Sequence, residues 1–450
     1  MPTKRPDPST ATRSGNPAVV VVLLCWVFVL LDGTDLFVYG AVLPRILKSH
    51  ALGITAGQAG DIGSYTTFGM LVGALCAGTV SDWIGRKKSV IANVTLFSLA
   101  SVATAAAPSA AVFGGARLIA GLGLGGLLPT AIAYVMDYAT PSRRNLMVGV
   151  LMTAHQTGGI VAATLGLWVV PSLGWRSVFW LGAVPAIVVV PLAVRLLPES
   201  VSFLVAKGRR GEAEALAGRY GLALDAPAAG TTATRPDTWQ NLRALFVRSQ
   251  WPTTLSFWAA SFAGLLLVYG VSTWLPTMMR ASGYELGSAV SFLLVINLGG
   301  IVGLLTAGRL SDRVGPLRVT IVWFALTAVG TGLFAVHMPL ALTYLVVFLT
   351  GALLFSAQTM VYASVGSHHA PDSRATAVGW VAGMGRFGAV FGPWLGGRLV
   401  AADASTWGFV AFSIAGVVGA VMMAAAYVSI RHRPAPMPSA AVDGAVRGQA

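Results

Sequence analysis

The sequence predicts an all-α membrane protein with twelve transmembrane helices in two six-helix bundles, and three observations carry that prediction. First, 55% of the 450 residues are hydrophobic and only 10% are charged, with a mean hydropathy of +0.74. That leaves too little polar surface to cover a water-soluble domain. Second, runs of about 20 apolar residues, each able to cross the hydrocarbon layer, recur at 18–43, 62–81, 89–107, 111–136, 146–170, 177–197, 252–278, 288–308, 317–337, 340–363, 375–400 and 407–430. Third, the one long hydrophilic stretch, 198–250, falls between the sixth and seventh runs. The chain divides into a tail (1–17), a bundle (18–197), a linker (198–250), a second bundle (251–431) and a second tail (432–450).

The polar, proline-bearing tail precedes a first span that is too long and too acidic for the apolar core of a cleavable signal peptide. That span holds Asp32-Gly33-Thr34-Asp35 inside an otherwise apolar run. A carboxyl at membrane depth costs roughly 2.5–3.5 kcal/mol on insertion scales, so such residues face a bundle interior or a watery cavity and are functional by default. Two of them three residues apart share a helical face, and away from water they disfavour double ionisation, so at least one proton is expected to be held there. Asp35 is the expected proton carrier and Asp32 its partner. The alternative is that Gly33 kinks the helix and the aspartates cap the broken turn.

Spans two and three are joined by Gly78-Thr79-Val80-Ser81-Asp82-Trp83-Ile84-Gly85-Arg86-Lys87-Lys88. A degraded echo, Gly308-Arg309-Leu310-Ser311-Asp312-Arg313-Val314-Gly315, joins spans eight and nine. The two aspartates stand 230 residues apart at matching places in the two halves, as a parallel duplication of a six-helix unit would place them. Glycines permit the tight turn, and the charged residues can cap helix ends or pair with one another. If both termini are cytoplasmic, 23 of the 30 Lys and Arg fall on the inner side and five on the outer, so the positive-inside rule puts both tails in the cytoplasm of a cell-membrane protein.

Span four carries Arg117, nearer its outer end, and Asp137 at its inner end beside Arg143 and Arg144. Span five carries His155 and Gln156, span eight Asn297 and span ten Gln358. Span eleven carries Arg386 at about the depth of the first-span aspartates, followed by Gly388-Ala389-Val390-Phe391-Gly392-Pro393-Trp394-Leu395-Gly396-Gly397.

The composition also excludes several classes. The net charge of +14 is scattered over loops where topology and anionic lipid account for it, so no nucleic-acid partner is predicted. Cys25 and Cys76 both sit in spans, which supports neither a disulfide framework nor a thiolate site. The histidines have no metal-ligand spacing within a span, so no metal and no cofactor are predicted. No nucleophile, base and orienting group stand at recognisable spacing for an enzyme.

The loop motif with its echo resembles the signature of the major facilitator superfamily, and the resemblance covers the whole chain. It implies two bundles around a central cavity, related by an axis along the membrane normal, that rock to alternate access. It also implies that Asp82, Arg86 and Asp312 are gating latches, with Asp137 gating at the loop edge or pairing with Arg143 or Arg144. Asp32-Gly33-Thr34-Asp35 further resembles the D-G-x-D signature of the aromatic acid/proton symporters, as does Tyr269-Gly270-Val271-Ser272-Thr273-Trp274-Leu275-Pro276 in span seven. That family implies proton-coupled uptake of benzoate-like or hydroxybenzoate-like carboxylates, for which a monomer suffices.

A guanidinium grips a carboxylate bidentately and stays charged, so Arg386 is the first expectation for the substrate anchor and Arg117 the second. Arg386 could instead form a fixed ion pair with an aspartate. Phe37, Tyr39, Tyr269 and Trp380 are candidates for the walls of an aromatic slot. His155 and Gln358 could bind a ring hydroxyl or simply tie helices together. The Gly/Pro run in span eleven matches a pattern that drug/proton antiporters carry in span five, which keeps efflux open. A sugar porter and a non-transporting aromatic-acid sensor remain as further alternatives.

Overall fold

The computed structural model describes residues 17–138, 144–220, 250–369 and 371–431, and among these every regular element is helical. Twelve long elements cross from one end of the molecule to the other. They are α1 (Pro17–Ser49), α2 (Ala56–Ile84), α3 (Arg86–Ala106), α4 (Ala110–Tyr138), α5 (Arg144–Trp168), α6 (Arg176–Leu196), α7 (Trp251–Ala281), α8 (Leu286–Val314), α9 (Pro316–Leu333), α10 (Leu340–His368), α11 (Pro371–Ala401) and α12 (Ser405–Arg431). Eleven are long and apolar enough to span a bilayer by length and composition. The twelfth, α11, is a 31-residue helix carrying Arg374, Arg386 and Arg398. The end at which α1 begins also holds the first turn of α3, Arg86–Lys88, and the linker, and is the basic end of the molecule; the opposite end is the far end.

Local chemistry sets the boundaries. Thr55 and Gln58 form a reciprocal capping box that starts α2. Gly85 and Gly315 end α2 and α8 with φ of +95° and +91°, a conformation that glycine alone adopts without strain. The two loop motifs thus make the same turn in both halves. The sixth span is interrupted: Arg176–Trp180 is a single turn, Pro185–Val189 is π-helical, and the α-helix resumes at Val190–Leu196. Pro185 and Pro191 remove two helix donors, which accounts for the break.

Glycine contacts hold the helices close, as bilayer packing requires. Side chains at Gly69 and Gly73 of α2 would collide with the Leu118 and Leu122 carbonyls of α4; Gly299 and Gly303 of α8 make the equivalent contacts with Phe348 and Ala352 of α10. The duplication read from the loops is therefore repeated in the packing.

The two bundles, α1–α6 and α7–α12, meet along α1/α7, α2/α11 and α5/α8. A Cβ on Gly40 would lie 2.2 Å from the Ser272 carbonyl, and one on Gly60 would lie 2.8 Å from Gly397 Cα. Ser64 donates to the Val390 carbonyl at 2.7 Å, and Arg398 pairs with Asp61 at 2.9 Å. All of these contacts lie between mid-depth and the far end. Toward the basic end, a Cβ on Gly78, Gly149, Gly308, Gly366, Gly379 or Gly383 would meet nothing within 4 Å. Among the described residues, the contacts named here close the seam between mid-depth and the far end.

The linker begins with two short helices, Val201–Ala206 and Arg210–Tyr220. Residues 221–249, most of the first tail and the tail 432–450 lie outside the described residues.

Candidate functional site at mid-depth

Asp32 stands near the midpoint of α1 and Arg386 near the midpoint of α11, so the helices bring them to the same depth from opposite bundles. Asp32 is 1% exposed, and neither of its carboxyl oxygens has a hydrogen-bond partner among the described residues. His155 of α5 lies beside it, with Nε2 4.0 Å from Oδ2. Arg386 donates to the Tyr269 hydroxyl of α7 at 3.0 Å. A buried carboxyl without a donor thus stands at the depth of a guanidinium that, among the described residues, is bonded to a neutral phenol and to no carboxylate.

Glycine creates this arrangement. A side chain at Gly33 would put its Cβ 2.2 Å from the His155 carbonyl, and one at Gly158 would lie 2.4 Å from that of Leu30. The central glycine of Asp32-Gly33-Thr34-Asp35 therefore lets α5 press His155 against Asp32. Helix α1 runs unbroken through it, so there is no broken turn for the aspartates to cap.

Asp35 occupies a different environment. Its Oδ2 pairs with Arg117 Nη1 at 2.7 Å, its Oδ1 accepts from Ser101 of α3 at 2.7 Å, and Arg117 Nη2 also reaches its backbone carbonyl. Arg117 is 1% exposed, with its guanidinium 5.7 Å from the Phe179 ring and 5.9 Å from the Tyr39 ring. The expected shared face of the two aspartates is thus divided: three residues turn a helix by about 300°, enough to aim Asp32 at α5 and α11 and Asp35 at α3 and α4. Arg117, the second expected substrate anchor, is committed inside the first bundle.

The aromatic candidates also separate. Phe37 packs edge-on against His155 at 5.4 Å and against Phe355 of the other bundle at 6.3 Å, walling the region beside Asp32. Tyr269 anchors Arg386. Trp380, 40% exposed, stacks on Trp258 at 5.7 Å, toward the basic end from Arg386. Tyr39 instead donates to the Ala59 carbonyl at 2.7 Å, because its position one turn from Asp35 turns it into the α1/α2 contact. Gln358 donates to Ser261 at 3.2 Å between α10 and α7, which ties helices within the second bundle.

At the basic end, Asp137 pairs with Arg86 and accepts from Ser200 and Ser202. The expected pairing with Arg143 or Arg144 concerns side chains that lie outside the described residues. Arg86 also donates to the Ala133 carbonyl, and Glu199 accepts from the backbone N–H of Lys87 and Ser200. Asp82 and Asp312 are exposed, and neither makes an ion pair among the described residues. The polar cluster at the basic end centres on Arg86 and Asp137.

Sequence reasoning missed Ser101, the Asp61–Arg398 pair, and a reciprocal contact between α5 and α8. In that contact a Cβ on Gly159 would lie 2.3 Å from Asn297 Oδ1, and one on Gly300 would lie 3.3 Å from Gln156 Nε2. Its signal is the pair of matching runs Gln156-Thr157-Gly158-Gly159 and Asn297-Leu298-Gly299-Gly300. The Gly/Pro run of α11 is a packing stripe: Gly388, Gly392 and Gly396 lie on Phe262, Leu266 and Trp274 of α7, and Trp274 Nε1 donates to the Pro393 carbonyl at 2.8 Å.

The sequence profile of the Major Facilitator Superfamily matches residues 25–306 and 297–447. The chain belongs to the major facilitator superfamily. Among the members it resembles are the benzoate transport protein of Acinetobacter baylyi, 33% identical over 89% of this chain and 88% of that one, and the gentisate transporter of Corynebacterium glutamicum, 34% identical over 85% and 81%. The gallate transporter of Pseudomonas putida is 33% identical over 85% of each. The fold is shared with the partially occluded, inward-open xylose transporter XylE from E. coli (TM-score 0.72, 18% identity, 90% of this chain and 97% of that one). It is also shared with a bacterial homologue of the lysosomal transporter Spinster in an inward-facing conformation (TM-score 0.71, 17% identity, 94% and 100%). This superfamily member is a multi-pass membrane protein with twelve helices in two bundles.

Proposed function

We propose that the protein imports a small aromatic carboxylate together with a proton, by alternating access between two bundles divided at the 198–250 linker, in the cell membrane with both termini cytoplasmic. The observation that carries this reading is the mid-depth pair: Asp32, a buried carboxyl with no hydrogen-bond donor among the described residues, opposite Arg386, a guanidinium from the other bundle. Relatives at 30% identity and above, over most of their length, are named for benzoate, gentisate and gallate, which supports the substrate class.

The two groups explain coupling by competition. Without substrate, Asp32 and Arg386 offset each other's charge. An incoming carboxylate takes Arg386 for itself, and leaving Asp32 ionised beside it would bury an uncompensated charge, at a cost of several kcal/mol. Substrate binding and proton uptake by Asp32 therefore favour each other, and the loaded cavity keeps the charge it had when empty. Phe37 and Phe355 supply edge and face for the ring, and His155 sits where the proton is exchanged. Asp35, already paired with Arg117 and Ser101, supports the first bundle, and the carrier's part moves from Asp35, as the sequence suggested, to Asp32. The α11 glycine run is spent on packing against α7, which removes the main support for an antiporter.

The test is uptake of labelled benzoate, hydroxybenzoates, gentisate, a hexose and a cationic dye into proteoliposomes with an inward proton gradient. The wild type is expected to accumulate an aromatic acid and to lose accumulation with an uncoupler. Asp32→Asn is expected to exchange substrate across the membrane but not to concentrate it, and Arg386→Gln to do neither. Expulsion of the dye with no acid uptake would overturn the reading.

A further inference from the structure

Transport leaves unused a feature on the outward face of α9 and α12. Tyr427, one turn before the end of α12, is gripped by two arginines. Arg318, from the first turn of α9, donates Nε and Nη2 to its hydroxyl at 3.2 Å each; Arg431, the last residue of α12, sets its guanidinium 4.9 Å over the ring. Both arginines are exposed, and among the described residues neither has a carboxylate within ion-pair distance. Two like charges converging on one neutral phenol make a site for an anion.

The same two helices form an apolar groove of about 350 Å³, lined by Ala325, Ala328 and Gly332 of α9 and Ser413, Val417 and Ala420 of α12. The groove's hydroxyl is satisfied, because Ser413 donates to the Ala328 carbonyl at 2.7 Å. Arg318, Ala325 and Gly332 are spaced seven residues apart, as are Tyr427, Ala420 and Ser413, so clamp and groove lie on one continuous face. At 1.5 Å per residue the clamp stands about 10 Å from the groove. It marks where the helices leave the bilayer at the basic end.

We propose that this face binds an anionic phospholipid, with its phosphate between Arg318 and Arg431 and one acyl chain in the groove. Phosphate offers the planar guanidiniums several acceptors at once, and the small groove floor admits a chain that bulkier residues would exclude. The site is independent of the transport reading.

The test is native mass spectrometry of the full-length protein in mild detergent, titrated with phosphatidylglycerol and phosphatidylcholine of identical chains. The wild type is expected to retain phosphatidylglycerol roughly thirtyfold better, as about 1 kcal/mol for each of the two arginines implies, and raising the salt should erode that preference. Arg318→Gln with Arg431→Gln should equalise the two lipids. Ala420→Phe, which fills the groove and leaves both arginines, should weaken retention of both. A wild type with no preference, or a preference untouched by salt and by the double substitution, would overturn the proposal. So would displacement of the lipid by inorganic phosphate with no effect of Ala420→Phe, which would mean a free-anion site. A dimer that excludes lipid from the groove would make a second copy the occupant and overturn it as well. Should the double Gln variant fail to fold, the salt titration and Ala420→Phe decide alone.

Discussion

Asp35 and Asp32 are three residues apart in one helix and do opposite things because of what lies across from them. Asp35 has a guanidinium and a hydroxyl, so its charge is matched by donors that never leave the first bundle. Breaking such a buried pair costs more than deleting it. Arg117→Leu is expected to destabilise the protein by about 3–5 kcal/mol, and Arg117→Leu with Asp35→Leu to recover most of that, as thermal unfolding in detergent would register. Ser101→Ala removes a hydrogen bond to a charged group and should cost roughly 1.5–3 kcal/mol. An additive double variant would mean that the pair is no unit. The sequence announced both aspartates and both arginines, because ionisable groups at membrane depth are rare enough to read directly. It could not assign them, since the angle of about 60° that separates residues three apart around a helix and the identity of Ser101 as a partner are facts of azimuth and packing that composition does not encode.

Among elements, the contacts that fix the site are backbone against glycine. Gly33→Ala would drive a methyl into the His155 carbonyl and should separate α1 from α5, abolishing uptake. Gly383→Ala, one turn from Arg386 and facing open space, should be tolerated. The α5/α8 crossing allows a sharper test, because the atom facing Gly159 belongs to the Asn297 side chain and not to backbone. Gly159→Ala alone should reduce uptake severely, and Asn297→Ala in the same protein should restore much of it. No rescue would show that the clash lies elsewhere. The helices themselves are legible as apolar runs, but their ends are not. The second run covers 62–81 whereas α2 extends over Ala56–Ile84, because Gly57, Gln58 and Asp61 at one end and Asp82 at the other continue the helix beyond the apolar layer that hydropathy detects. The antiporter-like glycine run is equally legible as a pattern, while its use against α7 depends on knowing the neighbour.

For the whole molecule, the state of the seam is the property that sequence withholds, since under the alternating access proposed above one chain supports both the state seen here and its opposite. The closed far end is held by the α2/α11 contact, in which Asp61–Arg398 is an ionic link that joins the bundles. Arg398 is half exposed, so the pair is worth only about 0.2–1 kcal/mol. Such a link does not lock the seam; it biases a balance. Removing it should raise the far-end-open population by between about 1.4-fold and fivefold. A reporter can sit at Ser64, which is buried in the seam against Val390. With Cys25 and Cys76 replaced, Ser64→Cys should react slowly with a membrane-impermeant thiol reagent added outside intact cells. Arg398→Gln or Asp61→Asn should speed that reaction within this range, and the exchange Asp61→Arg with Arg398→Asp should slow it again. A rate unchanged by either single substitution would mean that the glycine contacts at Gly40, Gly60 and Gly63 hold the far end alone. In that case opening is governed by packing area and not by charge, and the competition for Arg386 proposed between Asp32 and the substrate is left as the electrostatic switch.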